Sequence, residues 1–221
     1  GADYAYTMDG DAFGGVEYET FNAAHAKIKF SGVSVHPGSA KDKMINAALV
    51  AMDFDALLPR MERPEYTEEY QGFYYLTGMS GCCDNAELSY IIRDHDEEKL
   101  KYRVDYIHRA AEEINRRYGD GVASAETGFD YKNMRCIIEK NLHLIENARK
   151  AIEMAGGVPV SKPVRGGTDG CVLSFMGLPC PNLGTGGYNF HGKFEFACVE
   201  QMDSAVEMIK HLAEIYGALE K

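Results

Sequence analysis

Two residues near opposite ends of this chain have side chains suited to a metal ion: Asp9 in Tyr-Thr-Met-Asp-Gly and His191 in Asn-Phe-His-Gly-Lys. A carboxylate oxygen and a neutral imidazole nitrogen are ordinary zinc donors, but a catalytic zinc takes about three protein ligands plus water. Two candidates therefore read as part of a metal site rather than a whole one. Asp9 closes a short apolar strand and precedes Gly10. That puts a carboxylate at the carboxyl edge of a sheet, where α/β sites sit, although the same dipeptide suits an Asx turn. His191 follows the glycine-rich stretch Gly184–Gly187. Loops of this kind carry function, and a surface histidine fits there as well.

Three further side chains suit substrate binding. His36, in Val-His-Pro-Gly at the end of a strand, can donate a hydrogen bond to a developing oxyanion or simply occupy a turn. Arg165 precedes Gly166-Gly167-Thr168-Asp169-Gly170, which opens a helix running through Met176. A guanidinium beside helix N–H groups binds a carboxylate or phosphate, and Thr168 or Asp169 is equally placed to cap that helix. The glycines lack the Gly-Lys-Ser/Thr ending of a P-loop. Arg93, on the polar face of its strand, reaches an anion or serves as a solvated edge residue. Glu97-Glu98 and Glu112-Glu113 look like acid–base pairs, but both lie in one amphipathic helix, where acids favour the amino-terminal dipole or face solvent.

The elements that must position these groups fall into two patterns. In residues 23–30, Ala24, Ala26, Ile28 and Phe30 alternate with His25, Lys27 and Lys29, as in a half-buried strand. A helix over 40–58, strands at 71–80 and 84–94 around a Gly81–Asn85 hairpin, a helix over 96–118 and a strand at 122–127 follow. The order β-α-β-β-α-β is the ferredoxin-like split unit. From about residue 130 the pattern turns to α/β alternation: a helix over 131–155, short strands at 159–164 and 178–183, and a final helix at about 199–217. The expected division is 1–15 as the end of the first part of an α/β domain, 16–129 as the inserted split unit, and 130–221 as the rest of the α/β domain.

The 221 residues are 45% hydrophobic, enough for one large or two small cores. A net charge of −11 repels phosphate backbones and excludes nucleic acid as a partner. No apolar run reaches the ~18 residues of a membrane span. Gly1 opens the chain without the features of a signal peptide and reads as the start of a fragment. Six cysteines without a C-x-x-C pair read as reduced, mostly buried thiols of a cytoplasmic protein.

Taken together, Tyr-Thr-Met-Asp9-Gly, Ser-Gly-Val-Ser-Val-His36-Pro-Gly, Ile-Ile-Arg93-Asp, Tyr-Lys-Asn133-Met-Arg, Arg165-Gly-Gly-Thr-Asp-Gly, Gly-Leu-Pro-Cys-Pro-Asn-Leu and Gly-Gly-Tyr-Asn-Phe-His191-Gly-Lys resemble the peptidase T family, the tripeptide aminopeptidases of the M20 dizinc group. The likeness covers essentially the whole chain and about the second half of a family member. It implies a zinc-binding α/β domain interrupted by a ferredoxin-like lid, and homo-oligomers formed through that lid. It implies two zinc ions, with Asp9 as the aspartate ligand of one and His191 as the terminal histidine of the other. The remaining ligands and the general-base glutamate lie upstream in the family, so the resemblance places no catalytic residue in this chain and implies that it is inactive alone. It makes His36 the lid histidine that acts on the scissile carbonyl oxygen, and Arg93 and Arg165 groups that hold a small peptide substrate. A non-catalytic binding or dimerisation module, and another M20 hydrolase acting on dipeptides or acyl-amino acids, are the rival readings.

Overall fold

The computed structural model describes residues 1–219. Its elements run β1 (Thr7–Gly10), β2 (Val16–Glu17), β3 (Asn22–Ser31), α1 (Ala47–Leu57), β4 (Phe73–Gly81), β5 (Asn85–Asp94), α2 (Glu97–Tyr118), β6 (Ala123–Tyr131), α3 (Arg135–Ile138), α4 (Leu142–Met154), α5 (Asp169–Phe175), β7 (Asn182–Gly184), β8 (Gly187–Tyr188), β9 (Phe196–Ala197) and α6 (Val199–Gly217). They form two compact units, one of Asn22–Tyr131 and one of Gly1–Phe21 with the chain from Lys132 onward. The first change of unit falls after Phe21 rather than after residue 15, because β2 pairs with β7 and so stays with the flanking unit.

The inserted unit is an antiparallel sheet of order β4-β5-β3-β6 carrying α1 and α2. This is the ferredoxin-like split unit read from the sequence. Alternation along β3 buries Ala24, Ala26, Ile28 and Phe30 and exposes His25, Lys27 and Lys29. Facing them on β5 are Leu88, Tyr90 and Ile92, and the helices add Val50, Phe54, Leu100, Ile107 and Ile114. Asp96 caps α2 by accepting the Lys99 N–H, Glu97 and Glu98 occupy its first turn, Arg116 and Arg117 its last, and Gly119 at φ 119° ends it. Charges so placed complement the helix dipole. Glu113 pairs with Arg116 and Arg117, and Glu97 and Glu98 both pair with Lys101, as expected of acids on a solvent-facing helix.

In the flanking unit β1 and β7 run parallel, and β2 joins β7 antiparallel. The buried side chains of α4 are Leu144, Ile145, Ala148, Ala151 and Ile152, and those of α6 are Ala205, Met208 and Leu212. Three expectations change here and in α1. The helix expected from residue 40 starts at Ala47, where Asn46 accepts the Ala48 N–H. The helix expected over 131–155 breaks into α3 and α4 at Asn141, whose φ of −134° is not helical. Residues 159–164 give only a bridge from Gly15 to Val160, since Pro159 and Pro163 have no N–H to donate. Among the described residues, no helix is long and apolar enough to cross a membrane.

Candidate functional site

Asp9 lies where the β1–β7 ladder slips. Met8 pairs with Leu183 and Gly10 with Gly184, leaving Asp9 bulged and exposed. Its N–H is taken by Asn182 Oδ1 at 3.0 Å. The other end of that amide donates to Glu17 Oε2 at 2.6 Å. Asn182 is fully buried, and Glu17 nearly so. Burial pushes the Glu17 carboxyl above the usual carboxylate range; the charges of Asp11 and Asp9 add to this, while the Asn182 amide and the Asp11 N–H oppose it.

Because β1 and β7 are parallel, the loops that follow them leave the sheet at the same edge. Thr185 and Gly186 donate to the Asp11 carbonyl at 3.0 and 2.8 Å, and the Thr185 hydroxyl donates to Gly10 O at 2.9 Å. The chain from this anchor reaches His191 through β8. His191 is exposed and left-handed at φ 60°, and its N–H donates to Glu195 Oε2 at 3.0 Å. Asn189, also left-handed, closes the loop by donating to Phe194 O at 3.2 Å. A small cleft of about 320 Å³ is lined by Thr185, Phe190, Glu195 and Phe196. A larger groove, about 1200 Å³, runs between residues 3–8 and α6; it is mainly apolar and contains neither Asp9 nor His191.

An exposed carboxylate and an exposed imidazole fit zinc by donor chemistry. They fall short in number: among the described residues no group of three or more His, Cys, Asp or Glu side chains is placed to hold a metal. Cysteine does not supply the deficit. Only Cys171 and Cys180 are buried, while Cys82 and Cys136 are exposed, which corrects the expectation of mostly buried thiols.

Arg165 lies over the Phe21 ring, 5.2 Å from its centroid. Phe21 is fully buried, and its N–H donates to Gly166 O at 3.1 Å. The guanidinium itself is thus held against the ring by cation–π contact. Thr168 occupies the cap position of α5 but makes no side-chain cap bond; its shielded hydroxyl has no hydrogen-bond partner among the described residues.

In the inserted unit, His36 lies five residues beyond β3 rather than at its end. It is exposed, and its Nδ1 accepts the Gly38 N–H at 3.1 Å. An accepting Nδ1 puts the proton of the neutral ring on Nε2, the tautomer able to donate outward. Arg93 is not an edge residue, because β5 lies between β4 and β3. One of its terminal nitrogens donates to Ala24 O at 3.0 Å and Ile92 O at 2.9 Å and lies 3.7 Å from Asp130, and its guanidinium sits 5.3 Å from the Tyr131 ring centre. Only 13% of the side chain is exposed, so much of its donor capacity is used inside the unit.

Glu17 and Asn182 were missed by the sequence reading. The one available signal was an acid inside Gly15-Val16-Glu17-Tyr18, a strand-like stretch; the partner 165 positions away gave none.

Comparison with known proteins bears on the whole chain. Residues 18–119 match the M20 family described as a peptidase dimerisation domain. The chain is 49% identical over 215 residues to peptidase T of Caldanaerobacter subterraneus, covering 97% of this chain and 53% of that protein. It therefore spans about half the length of the curated relatives it matches. In fold it is similar to aminopeptidase PepT of Bacillus cereus (TM-score 0.76, 23% identity, 96% of this chain and 57% of that one). A tripeptidase of Staphylococcus aureus gives a TM-score of 0.83 at 19% identity, over 97% and 57%. A Bacillus subtilis protein described as a dinuclear metal-binding peptidase of the M20 family gives 0.60 at 18%, over 95% and 55%.

Proposed function

The chain resembles peptidase T of the M20 peptidases and matches about its carboxyl-terminal half, and from that premise we propose that it is part of a zinc-dependent aminopeptidase releasing amino-terminal residues from tripeptides. The observation that most supports this is Asp9: an exposed carboxylate on a bulge at the carboxyl end of a parallel strand, its N–H held by a buried amide. Bulges re-aim side chains beside active sites, and the carboxyl edge of parallel strands is where such sites form.

Asp9 and His191 would hold metal, each toward one of two ions. When bound, the metals supply Lewis acidity at the peptide carbonyl and lower the pKa of water. His36, donating from Nε2, acts on the carbonyl oxygen of the scissile bond. Arg165 holds a substrate carboxylate or main-chain oxygen, and Arg93 fills the same class of role with whatever donor capacity its internal bonds leave. Within these 221 residues we assign no general base, so the proton relay belongs to polypeptide outside them and the chain alone turns over no peptide. The M20 dimerisation match at residues 18–119 supports a homo-oligomer formed through the inserted unit.

The test is a tripeptide hydrolysis assay on the 221-residue chain, alone and mixed with the amino-terminal half of peptidase T from a relative, in zinc buffer. Turnover is expected only in the mixture and is lost in Asp9→Asn and His191→Asn. Hydrolysis by the chain alone, free of contaminating peptidase, overturns the division of ligands. A complete reading frame that cleaves acyl-amino acids and not tripeptides overturns the substrate.

A further inference from the structure

The Asp9 backbone has lost its ladder partner, and a side chain serves in its place. The Asn182 amide can satisfy the Asp9 N–H only with its oxygen turned toward Asp9. An amide flips end for end at almost no steric cost, and the flipped form would set NH2 against N–H. What fixes the orientation is Glu17, the cross-strand partner of Asn182 in the β2–β7 register, whose carboxylate takes the NH2 at 2.6 Å. The flipped amide would bring oxygen against oxygen. Both residues are shielded, Asn182 at 0% and Glu17 at 9% exposure. Burying a carboxylate is costly unless its hydrogen bonds are made, so the pair needs a function that an apolar pair could not perform.

We propose that Glu17 is a positioning residue for Asp9: acting through Asn182, it holds the bulged backbone in the one orientation from which the Asp9 carboxylate can meet a metal ion. This rests on the reading of Asp9 as a metal ligand. Partners of this kind behind a metal ligand change metal affinity by roughly 10–100-fold when removed.

The experiment uses the isotope-labelled 221-residue chain, with two NMR readouts. The first, without metal, is amide exchange at Asp9, compared with Ala148 and Ile152 in the core of α4 as reporters of global stability. The second is a titration with zinc chloride of the labelled chain mixed with the amino-terminal half of peptidase T from a relative, which supplies the remaining ligands, followed at Asp9 and His191. Glu17→Ala and Asn182→Ala are expected to speed exchange at Asp9 at least about tenfold while the α4 amides hold, and to weaken the zinc response about 10–100-fold. Glu17→Gln, whose side-chain oxygen still accepts from Asn182, is expected to restore both to within about threefold of wild type; should Glu17→Ala fail to fold, Asn182→Ala and Glu17→Gln carry the comparison. Wild-type exchange and zinc affinity in Glu17→Ala, with Asp9→Asn still abolishing the zinc response, overturns the positioning role alone. A Glu17→Gln variant as impaired as Glu17→Ala overturns it too, because charge rather than orientation is then at work. No zinc response in the wild type, or an unchanged one in Asp9→Asn, overturns the ligand reading and the inference with it.

Discussion

Replacing Gly184 by alanine would test how tightly the loop carrying Asp11 is held against β7. A methyl on Gly184 would lie on the Ala12 carbonyl, well inside van der Waals contact, with Gly15 N only 3.1 Å away. Both obstacles are backbone, so no side-chain rotation relieves them, and the 10–15 turn must move outward. That turn is tied to β7 by Gly184 N–H to Gly15 O at 3.0 Å, Thr185 N–H to Asp11 O at 3.0 Å and Gly186 N–H to Asp11 O at 2.8 Å. Losing all three, at about 0.5–1.5 kcal/mol each, costs about 3 kcal/mol. The stiffer unfolded chain returns about 0.4–1 kcal/mol, leaving about 2–3 kcal/mol of destabilisation. With a urea slope of about 1–3 kcal/mol per molar, the midpoint should fall by about 0.7–3 M, read by circular dichroism. Gly166→Ala is the control, since a methyl there meets nothing within 4 Å and its φ is ordinary. A midpoint in Gly184→Ala no lower than in the control would refute the close approach, and with it the anchoring of the loop beside Asp9.

Other expectations concern the inserted unit. Asp94, 1% exposed, accepts from Arg103 Nε at 2.9 Å, and Arg103 also pairs with Glu62. Asp94→Ala leaves a largely buried guanidinium short of its main partner and should cost about 3–5 kcal/mol in urea unfolding; a loss under about 1 kcal/mol would show that Glu62 and water suffice. Phe54→Ala removes a fully buried ring packed 5.6 Å from Phe30 and 6.3 Å from Tyr90 and should cost about 3–5 kcal/mol, checked in the same assay. Burial, and then the hydrogen bond to Asp55 at 2.6 Å, holds the Tyr90 hydroxyl well above the usual tyrosine range. The folded state therefore keeps this proton after the unfolded chain has lost it. Its contribution is complete below about pH 10 and declines above that by about 1.4 kcal/mol per pH unit. Tyr90→Phe should reduce the alkaline slope of unfolding free energy by that amount, and an unchanged slope would rule Tyr90 out as its source.

Much of the inserted unit was legible in the sequence because its signals are local. Alternation along Ala24–Phe30 marked a half-buried strand, the Gly81–Asn85 stretch marked the hairpin, and Leu100, Val104, Ile107, Ala111 and Ile114 fell on one stripe of α2. The flanking unit was harder to read. Its strands are two to four residues long, too short for alternation to show. Arg93 was placed correctly on the less buried face of β5, but nothing in its neighbours announced the Ala24 carbonyl or Asp130 as partners. The pairing of Glu17 with Asn182 spans most of the chain and follows from sheet register alone.

That register also sets where the two loops that follow the parallel pair begin. A parallel β1–β7 pair sends the chain after Gly10 and the chain after Gly184 out on the same side. Glycine is required on both strands: a methyl on Gly10 would press on Leu183 O at 2.8 Å, and one on Gly184 on the Ala12 carbonyl. Sliding β1 by one residue would set a side chain in one of these gaps, return Asp9 to the ladder and leave the buried Asn182 oxygen without the N–H it accepts. An unsatisfied buried acceptor costs about 1–3 kcal/mol, and the steric clash adds to it. The two glycines and the Glu17–Asn182 pair therefore select the same alignment, the one in which Asp9 is bulged and exposed, so the position of this carboxylate is set by the packing of the sheet and not by the loop that follows it.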